Sequence, residues 1–332
     1  MRFYTNFSNF NKDLWEVFIK NHTNSNTFQS FEMFEFWKNQ QNYNSIIFFI
    51  ESDDGECLAF CTGVIMYNGK SIMKLLSKRA IFFGGPLINE NENKEEILNF
   101  LVLKMEGYLK KKSIYTEIRN FYSDLYLKEI FKASKWTYRP YQNYIITLNS
   151  EEEVFSKIKS EKRRQIRKAL REGVQISYDK TDINIKGVYD VLIKIYKEKV
   201  KKPLPTFEFF ISLMKLNVAG IVSIQYEDKI IGGGFFLRDD QNIYDWYRGG
   251  LDYDYKKQYP STIAAWAVLK FGLDNDLKMF DFMGAGLKGE EYGVRKFKSQ
   301  FGGELVEYGR FLKINNPIVY KMGETALKIL KK

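Results

Sequence analysis

The second half of this 332-residue chain repeats the layout of its first half, and a duplicated unit leaves far fewer folds open than composition does. Gly84-Gly85-Pro86 follows the apolar run 77–83, and Gly249-Gly250 follows a similar run at 242–248. Each pair leads into a helix-like stretch (95–111 and 261–271) and then a short apolar strand (114–119 and 279–284). Phe131-Lys132 and Phe297-Lys298 come next, and a closing strand ends each half (144–148 and 308–312). Gly250 follows Gly85 by 165 positions and Phe297 follows Phe131 by 166, so the landmarks keep one offset. A generic alternation of helices and strands would scatter them.

Between the landmarks the pattern is mixed. Residues 13–20 and 31–38 read as short amphipathic helices, and 45–51 with 57–67 as a hairpin turning at Asp53-Asp54-Gly55. The matching hairpin of the second half is 219–226 with 230–237, about Glu227-Asp228-Lys229. Hairpins placed before helices predict an α+β chain of two tandem domains, each a mostly antiparallel sheet flanked by helices. Length alone gives a prior of about two domains. The expected division is 1–149 and 150–332, because the first closing strand ends at Asn149 and Ser150, followed by Glu153, has the pattern of a helix N-cap.

Charge narrows the partners. The net charge is +10, which favours anionic ligands such as nucleic acid, nucleotides or a membrane surface. The chain is crowded with Lys, Asn, Ile, Phe and Tyr, so local clustering of charge carries more weight than the total. The segment 157–171 holds eight basic residues and one acid, Glu161, and ends at Gly173, a good C-cap. Arg163, Arg167 and Arg171 recur every four residues and share a helical face, with Arg164 and Lys168 beside them. Ile158, Ile166, Ala169 and Leu170 supply the packing side. The face is either simply solvated or a phosphate-binding surface, since paired guanidinium donors match phosphate oxygens. Charge alone leaves open whether such a phosphate belongs to RNA or to a nucleotide diphosphate.

Several chemistries are excluded or disfavoured. Cys57 and Cys61 sit four apart in a strand-like stretch, on the same side by parity, and read as small core residues. The single histidine, His22, lies in an Asn/Thr-rich loop, so Ser-His-Asp and Cys-His catalysis are not expected. No metal ligands have suitable spacing. Gly232-Gly233-Gly234 lies inside a strand and marks a bulge or a close backbone approach rather than a nucleotide loop. Arg2 is not followed by an apolar leader, and no apolar run nears the roughly 20 residues needed to span a bilayer. A cytoplasmic protein is expected, with a possible contact to the inner face of the membrane through the amphipathic stretch 317–332 and its terminal Lys331-Lys332.

Arg163-Arg164-Gln165-Ile166-Arg167-Lys168-Ala169 followed by Gly173-Val174, and Phe297-Lys298 within 294–303, resemble two segments of the FemABX aminoacyltransferases. These enzymes are built from two acetyltransferase-like (GNAT) domains in tandem, in agreement with the repeat. The resemblance implies transfer of an amino acid from aminoacyl-tRNA to the peptide stem of a peptidoglycan precursor, or a related acyl transfer onto an exopolysaccharide intermediate. It implies that Arg163 contacts the precursor's diphosphate and that Phe297 and Lys298 serve the transfer centre. It also points, through Gln29-Ser30 preceding Trp37-Lys38, to Lys38 as a substrate-binding residue, although the tryptophan spacing is shifted.

Aminoacyl transfer to an amine needs positive charge where the tetrahedral oxyanion develops, and Lys298 is the candidate; the alternative is a lysine on an exposed helix face. Asp281, at a strand end before Gly284-Ala285-Gly286, is placed to orient the acceptor amine or take its proton, or else is a buried cap. Tyr292 is either a pocket residue or aromatic core. No tightly bound cofactor is expected. An acyl-CoA donor would require a glycine-rich turn opening a helix, whereas the corresponding stretch, 256–262, holds Tyr259-Pro260 and no glycine, with Ser261 as the expected helix cap. The acyl-CoA N-acyltransferase remains an alternative, and a non-catalytic RNA-binding protein another.

Overall fold

The computed structural model describes residues 1–6, 12–69, 71–89, 93–201 and 203–330, without the side chains at 72 and 326–330. Lys331-Lys332 therefore lies outside the described residues. The chain divides into two units, one formed by 1–141 with 307–332 and the other by 142–306.

The first unit carries a sheet in the order Arg2–Tyr4, Tyr43–Glu51, Cys57–Met66, Arg79–Phe83, Tyr115–Arg119, Arg310–Ile314, Thr137–Arg139, with Leu87–Ile88 pairing off the 57–66 strand. The pair 79–83 and 115–119 is parallel and is joined through helix Lys94–Leu109. One face packs Phe48, Phe82, Ile118 and Phe311 with the apolar side of that helix; the other packs Ile47, Phe49 and Phe60 around Trp15 and Phe34. The predicted hairpin turns at Ser52–Glu56, where Gly55 adopts φ 87°.

The second unit repeats the plan. Its sheet runs Glu304–Glu307, Gln142–Thr147, Met279–Asp281, Asn242–Gly250, Lys229–Arg238, Ala219–Tyr226, Gln175–Ser177, and 242–250 is parallel to 279–281. Helix Pro260–Asp274 makes this crossover and is apolar on all sides, so it lies in the core, with Ile263, Ala264, Ala265, Ala267, Val268 and Leu269 buried. Two tandem GNAT-like units, each a mostly antiparallel sheet flanked by helices, are thus present.

Four details differ from the sequence reading. The closing strands are exchanged: 142–147 pairs with 279–281, while 310–314 pairs with 115–119 and 137–139. The expected boundaries 1–149 and 150–332 are displaced accordingly, because two strands of like pattern can each complete the other's sheet and linear order does not say which does. A bulge at Leu58 (Ile50 opposite Ala59, Glu51 opposite Cys57) shifts parity, so Cys57 joins the Trp15 side and Cys61 the Phe48 side. Both cysteines are free and buried. The basic segment is two helices, Glu151–Lys157 and Ser160–Arg171, and Leu170 is exposed rather than core. Ser150 does cap the first of them, accepting from Glu153 N at 3.2 Å.

Candidate active site

Strand 279–281 ends on Asp281, which is 1% exposed. Its carboxylate accepts from Asn143 Nδ2 at 2.6 Å and from Met283 N at 2.5 Å. Asn143 Oδ1 in turn accepts from Gly284 N at 2.7 Å. Met283 (φ 59°) and Gly284 (φ 113°) turn the chain sharply here. Helix Gly293–Lys298 then brings Lys298 back under the turn. The Lys298 ammonium donates to Phe282 O at 2.5 Å and Gly284 O at 2.6 Å and is only 8% exposed, which disposes of an exposed-face lysine. Arg295, one turn earlier, donates to Ala285 O at 2.8 Å, Glu290 O at 2.9 Å and Leu287 O, so helix and turn are tied together.

Burial sets both titrations. Desolvation brings Lys298 down to about 8, with Arg248 pushing the same way and Asp245 and Asp281 opposing. Desolvation lifts Asp281 to about 6, against the bonds from Asn143 and Met283 and the charge of Lys298, with Asp245 adding to the rise. A carboxyl and an ammonium, each moved toward neutrality and sharing charged neighbours, form the kind of pair that acid-base chemistry uses.

A second set of groups adjoins this pair. Strand 242–250 bulges at Trp246, because Phe235 faces Tyr247 while Phe236 faces Asp245. The extra residue puts Asp245 and Arg248 on one face, where they form a buried ion pair, Nε to Oδ2 2.8 Å. Arg248 also donates to Ser261 O at 3.1 Å and lies 5.2 Å from the Phe297 ring centre. Lys162 lies 4.9 Å from the same ring and donates to Gln165 Oε1 and Thr262 Oγ1, both at 2.9 Å; burial moves its titration downward. Phe297 is therefore held between two cations.

The start of helix 260–274 belongs to this cluster. Tyr259 (φ 49°) precedes Pro260, which sits at the first helical turn and lacks an N–H. Ser261 is thus inside the helix rather than its cap. Its N–H donates to Asp252 Oδ1 at 3.1 Å and its hydroxyl donates to Asp252 Oδ2. Thr262 N donates to Tyr259 O at 2.9 Å. A carboxylate of this chain thus occupies the position where a helix N-terminus would meet a phosphate. Gly250 permits the close approach, since a Cβ there would lie 2.4 Å from Ser261 N. The glycine run behaves as expected: a Cβ on Gly232 would meet Pro260 at 3.0 Å, and one on Gly234 would meet Tyr247 O at 2.6 Å.

Of the residues singled out in the sequence, Asp281, Phe297 and Lys298 come together. Arg163 donates to Ser156 O at 3.1 Å across the break between the two helices. Arg164 and Arg167 are exposed, the latter 5.1 Å from the Phe155 ring centre. Tyr292 is 44% exposed beside Gly286 and is not aromatic core. Lys38 belongs to the first unit, where it ends helix Phe31–Lys38 and pairs with Glu35 at 3.0 Å. Gln29 and Ser30 act as caps, Gln29 in a capping box with Asn26 and Ser30 on Met33 N. Sequence reasoning missed Asn143, Lys162, Asp245, Arg248 and Asp252. The one available signal was an acid and a base, Asp245 and Arg248, inside an otherwise apolar strand leading to Gly249-Gly250.

A sequence model of the FemAB family matches residues 214–328, a span that includes Asp245, Arg248, Asp252, Asp281, Phe297 and Lys298. Among solved structures, the crystal structure of FemX matches with a TM-score of 0.73 at 14% identity, covering 97% of this chain and 99% of that one. A tandem GNAT protein from the clavulanic acid biosynthesis pathway matches with a TM-score of 0.63 at 10% identity, over 95% of this chain and 99% of that one. The structure of L-PGS from Bacillus licheniformis matches with a TM-score of 0.54 at 13% identity, over 92% of each chain. No curated protein matches the sequence significantly.

Proposed function

From a chain that is FemABX-like in sequence over 214–328 and in fold over nearly its whole length, we propose an aminoacyltransferase that moves an aminoacyl group from aminoacyl-tRNA to an amine of a peptidoglycan or other cell-envelope precursor. The FemAB match and the tandem GNAT fold support the coarser statement, an acyl or aminoacyl transferase. The observation that carries the reading is the buried Lys298 beside Asp281, with Phe297 at the same helix end.

In this reading the acceptor amine attacks the ester carbonyl of the donor. Negative charge grows on the carbonyl oxygen, and Lys298, already fixed by two carbonyls and with one N–H left, supplies the opposing charge. Asp281 takes the proton that the amine releases; the tetrahedral adduct then collapses with cleavage of the ester C–O bond, and the proton goes to the departing ribose oxygen of the tRNA. Phe297, between Lys162 and Arg248, keeps water from the reacting ester. Arg163, at the helix junction, is assigned to the precursor's diphosphate, and the exposed Arg164 and Arg167 beside it offer further charge to phosphate. Tyr292 and Lys38 are assigned no step. No tightly bound cofactor enters the scheme.

The acyl-CoA alternative is disfavoured by Asp252, which occupies the helix start where a pyrophosphate would bind. The RNA-binding alternative leaves a buried, shifted Lys298 and Asp281 without a use. The test is transfer of label from charged total tRNA, and separately from acetyl-CoA, to a UDP-linked muramyl-peptide extract, with and without RNase. RNase-sensitive labelling is expected. Labelling from acetyl-CoA alone would move the protein to the acyl-CoA class, and labelling from neither would remove the proposed acceptor.

A tRNA donor implies action in the cytoplasm. No helix among the described residues is long and apolar enough to cross a membrane. Helices Ser71–Ser77 and Pro317–Leu330 touch in the first unit, and Met73, Leu75, Leu76, Ile318 and Met322 on them are exposed. With Lys74 and Lys321 alongside, this face supports peripheral contact with an anionic membrane. The protein is expected to sediment with phosphatidylglycerol vesicles at low salt, and Ile318→Glu/Met322→Glu to stay in solution. Equal sedimentation of the two would refute the contact.

A further inference from the structure

Strand 142–147 comes from the first half of the chain yet lies in the second unit's sheet, where Ile145 is the cross-strand partner of Asp281. The pairing runs on past the strand end, with Phe282 N donating to Tyr144 O at 3.1 Å and Ala285 N to Gln142 O at 2.6 Å. Asn143 is thereby pressed against the sharp turn at Met283 and Gly284 and is only 6% exposed. A buried side-chain amide needs partners at both of its ends.

The neighbours fix which end is which. Tyr144 N at 2.9 Å and Gly284 N at 2.7 Å both donate to one end of the amide, so that end is the oxygen. The other end is then the NH2 group, and it meets the Asp281 carboxylate at 2.6 Å. The bonds to that carboxylate are lopsided. Oδ1 accepts from Asn143 Nδ2 and from Met283 N at 2.5 Å, whereas Oδ2 accepts from none of the described residues. Burial lifts Asp281 to about 6, and the bond from Asn143 is the largest influence against it, ahead of Met283 N and the charge of Lys298. Asp245, paired with Arg248 on strand 242–250, adds to the rise. Tyr244, opposite Asp281 on the same strand, is pushed upward by burial and stays neutral.

We infer that Asn143 is a positioning residue: it holds the Asp281 carboxyl so that Oδ2 is the oxygen that takes the acceptor's proton. The inference rests on the proton role given to Asp281 in the proposed transfer. With Oδ1 engaged by two donors, the free lone pairs are those of Oδ2. The exchanged closing strand acquires a use as well, since without it the carboxylate keeps a single hydrogen-bond donor, Met283 N.

The experiment is a pH titration of the Asp281 carboxyl by NMR, in the full chain labelled with 13C at the aspartate carboxyls and assigned by the loss of one resonance in Asp281→Asn. The parent is compared with Asn143→Asp and Asn143→Leu. Asn143→Asp keeps an oxygen for Tyr144 N and Gly284 N, so the turn stays tied, but a second carboxyl replaces the donor. Two adjoining carboxyls hold a proton between them to higher pH. The midpoint, about 6 in the parent, is expected to rise by about one pH unit or more in Asn143→Leu and further in Asn143→Asp. The acid limb of kcat/KM should move with it, so that activity below the parent's midpoint falls about ten-fold. An unchanged midpoint in folded Asn143→Asp overturns the proposal and leaves Asn143 a tie between strand and turn. The parent gives a second reading that needs no variant. With 15N-labelled asparagine, one side-chain NH2 resonance should follow the Asp281 titration, and the proposal fails if none does. These resonances are recorded without donor or acceptor, so failure of the positioning and failure of the proposed transfer are told apart.

Discussion

Lys298→Ala is expected to lower kcat for transfer by about 10²- to 10³-fold, the scale seen when one oxyanion donor is removed, with little change in KM for the precursor. The substitution also leaves Phe282 O and Gly284 O without their donor, and each stands to cost about 1–3 kcal/mol if it stays dry. Activity must therefore be read alongside a melt. The pH dependence separates the two roles. With Lys298 at about 8 and Asp281 at about 6, kcat/KM of the parent should rise as pH passes about 6, when Asp281 loses its proton, and fall as pH passes about 8, when Lys298 loses its charge. Stability runs the other way on the alkaline side. The folded Lys298 titrates at about 8 and its unfolded form at 10.5, so the unfolded chain holds the extra proton between them and stability rises with pH across that window. Lys298→Ala should remove both the alkaline limb of activity and this rise in stability. A folded Lys298→Ala enzyme with unchanged kcat would leave the lysine only its tie to the turn.

Much of this site was legible in the sequence for identifiable reasons. The glycine pairs at 84–85 and 249–250 stand out because the chain turns or a helix start presses on them, as Ser261 does on Gly250. Asp281 and Phe297-Lys298 are close enough along the chain to be read as one segment. What stayed hidden depends on parity and on distant partners. A bulge moves every following side chain to the other face, and neither Leu58 nor Trp246 advertises one. Regular alternation would put Cys57 on the side of Cys61 and would separate Asp245 from Arg248, so neither relation can be read along the chain. Lys162 reads as one base among eight; only its packing against Thr262 and Phe297 distinguishes it from Arg164. The exchange of closing strands is invisible for a different reason: 144–148 and 308–312 carry interchangeable patterns, and only the completed sheets show which strand goes where.

Arg248→Met is expected to cost about 3–5 kcal/mol of stability, measured by urea unfolding. It leaves Asp245 charged, buried and without its partner, and frees Ser261 O from its donor. The pair itself contributes much less than its breakage suggests. Asp245→Leu/Arg248→Met, which removes both charges into apolar surroundings, should recover most of the loss. If the pair served packing alone, the double variant would also recover transfer. Because the two charges act on Lys298 in opposite senses, the double variant should return the pH profile close to the parent's, whereas each single variant displaces it. Asp245 raises the titration of Lys298 and Arg248 lowers it. Arg248→Met should therefore carry the alkaline limb of activity above about 8, whereas Asp245→Asn should carry it below. Movement of the limb in opposite directions by the two single variants would show that the ion pair sets the charge state of Lys298. An alkaline limb that stays fixed in both would confine Asp245 and Arg248 to holding the bulged strand against the start of helix 260–274.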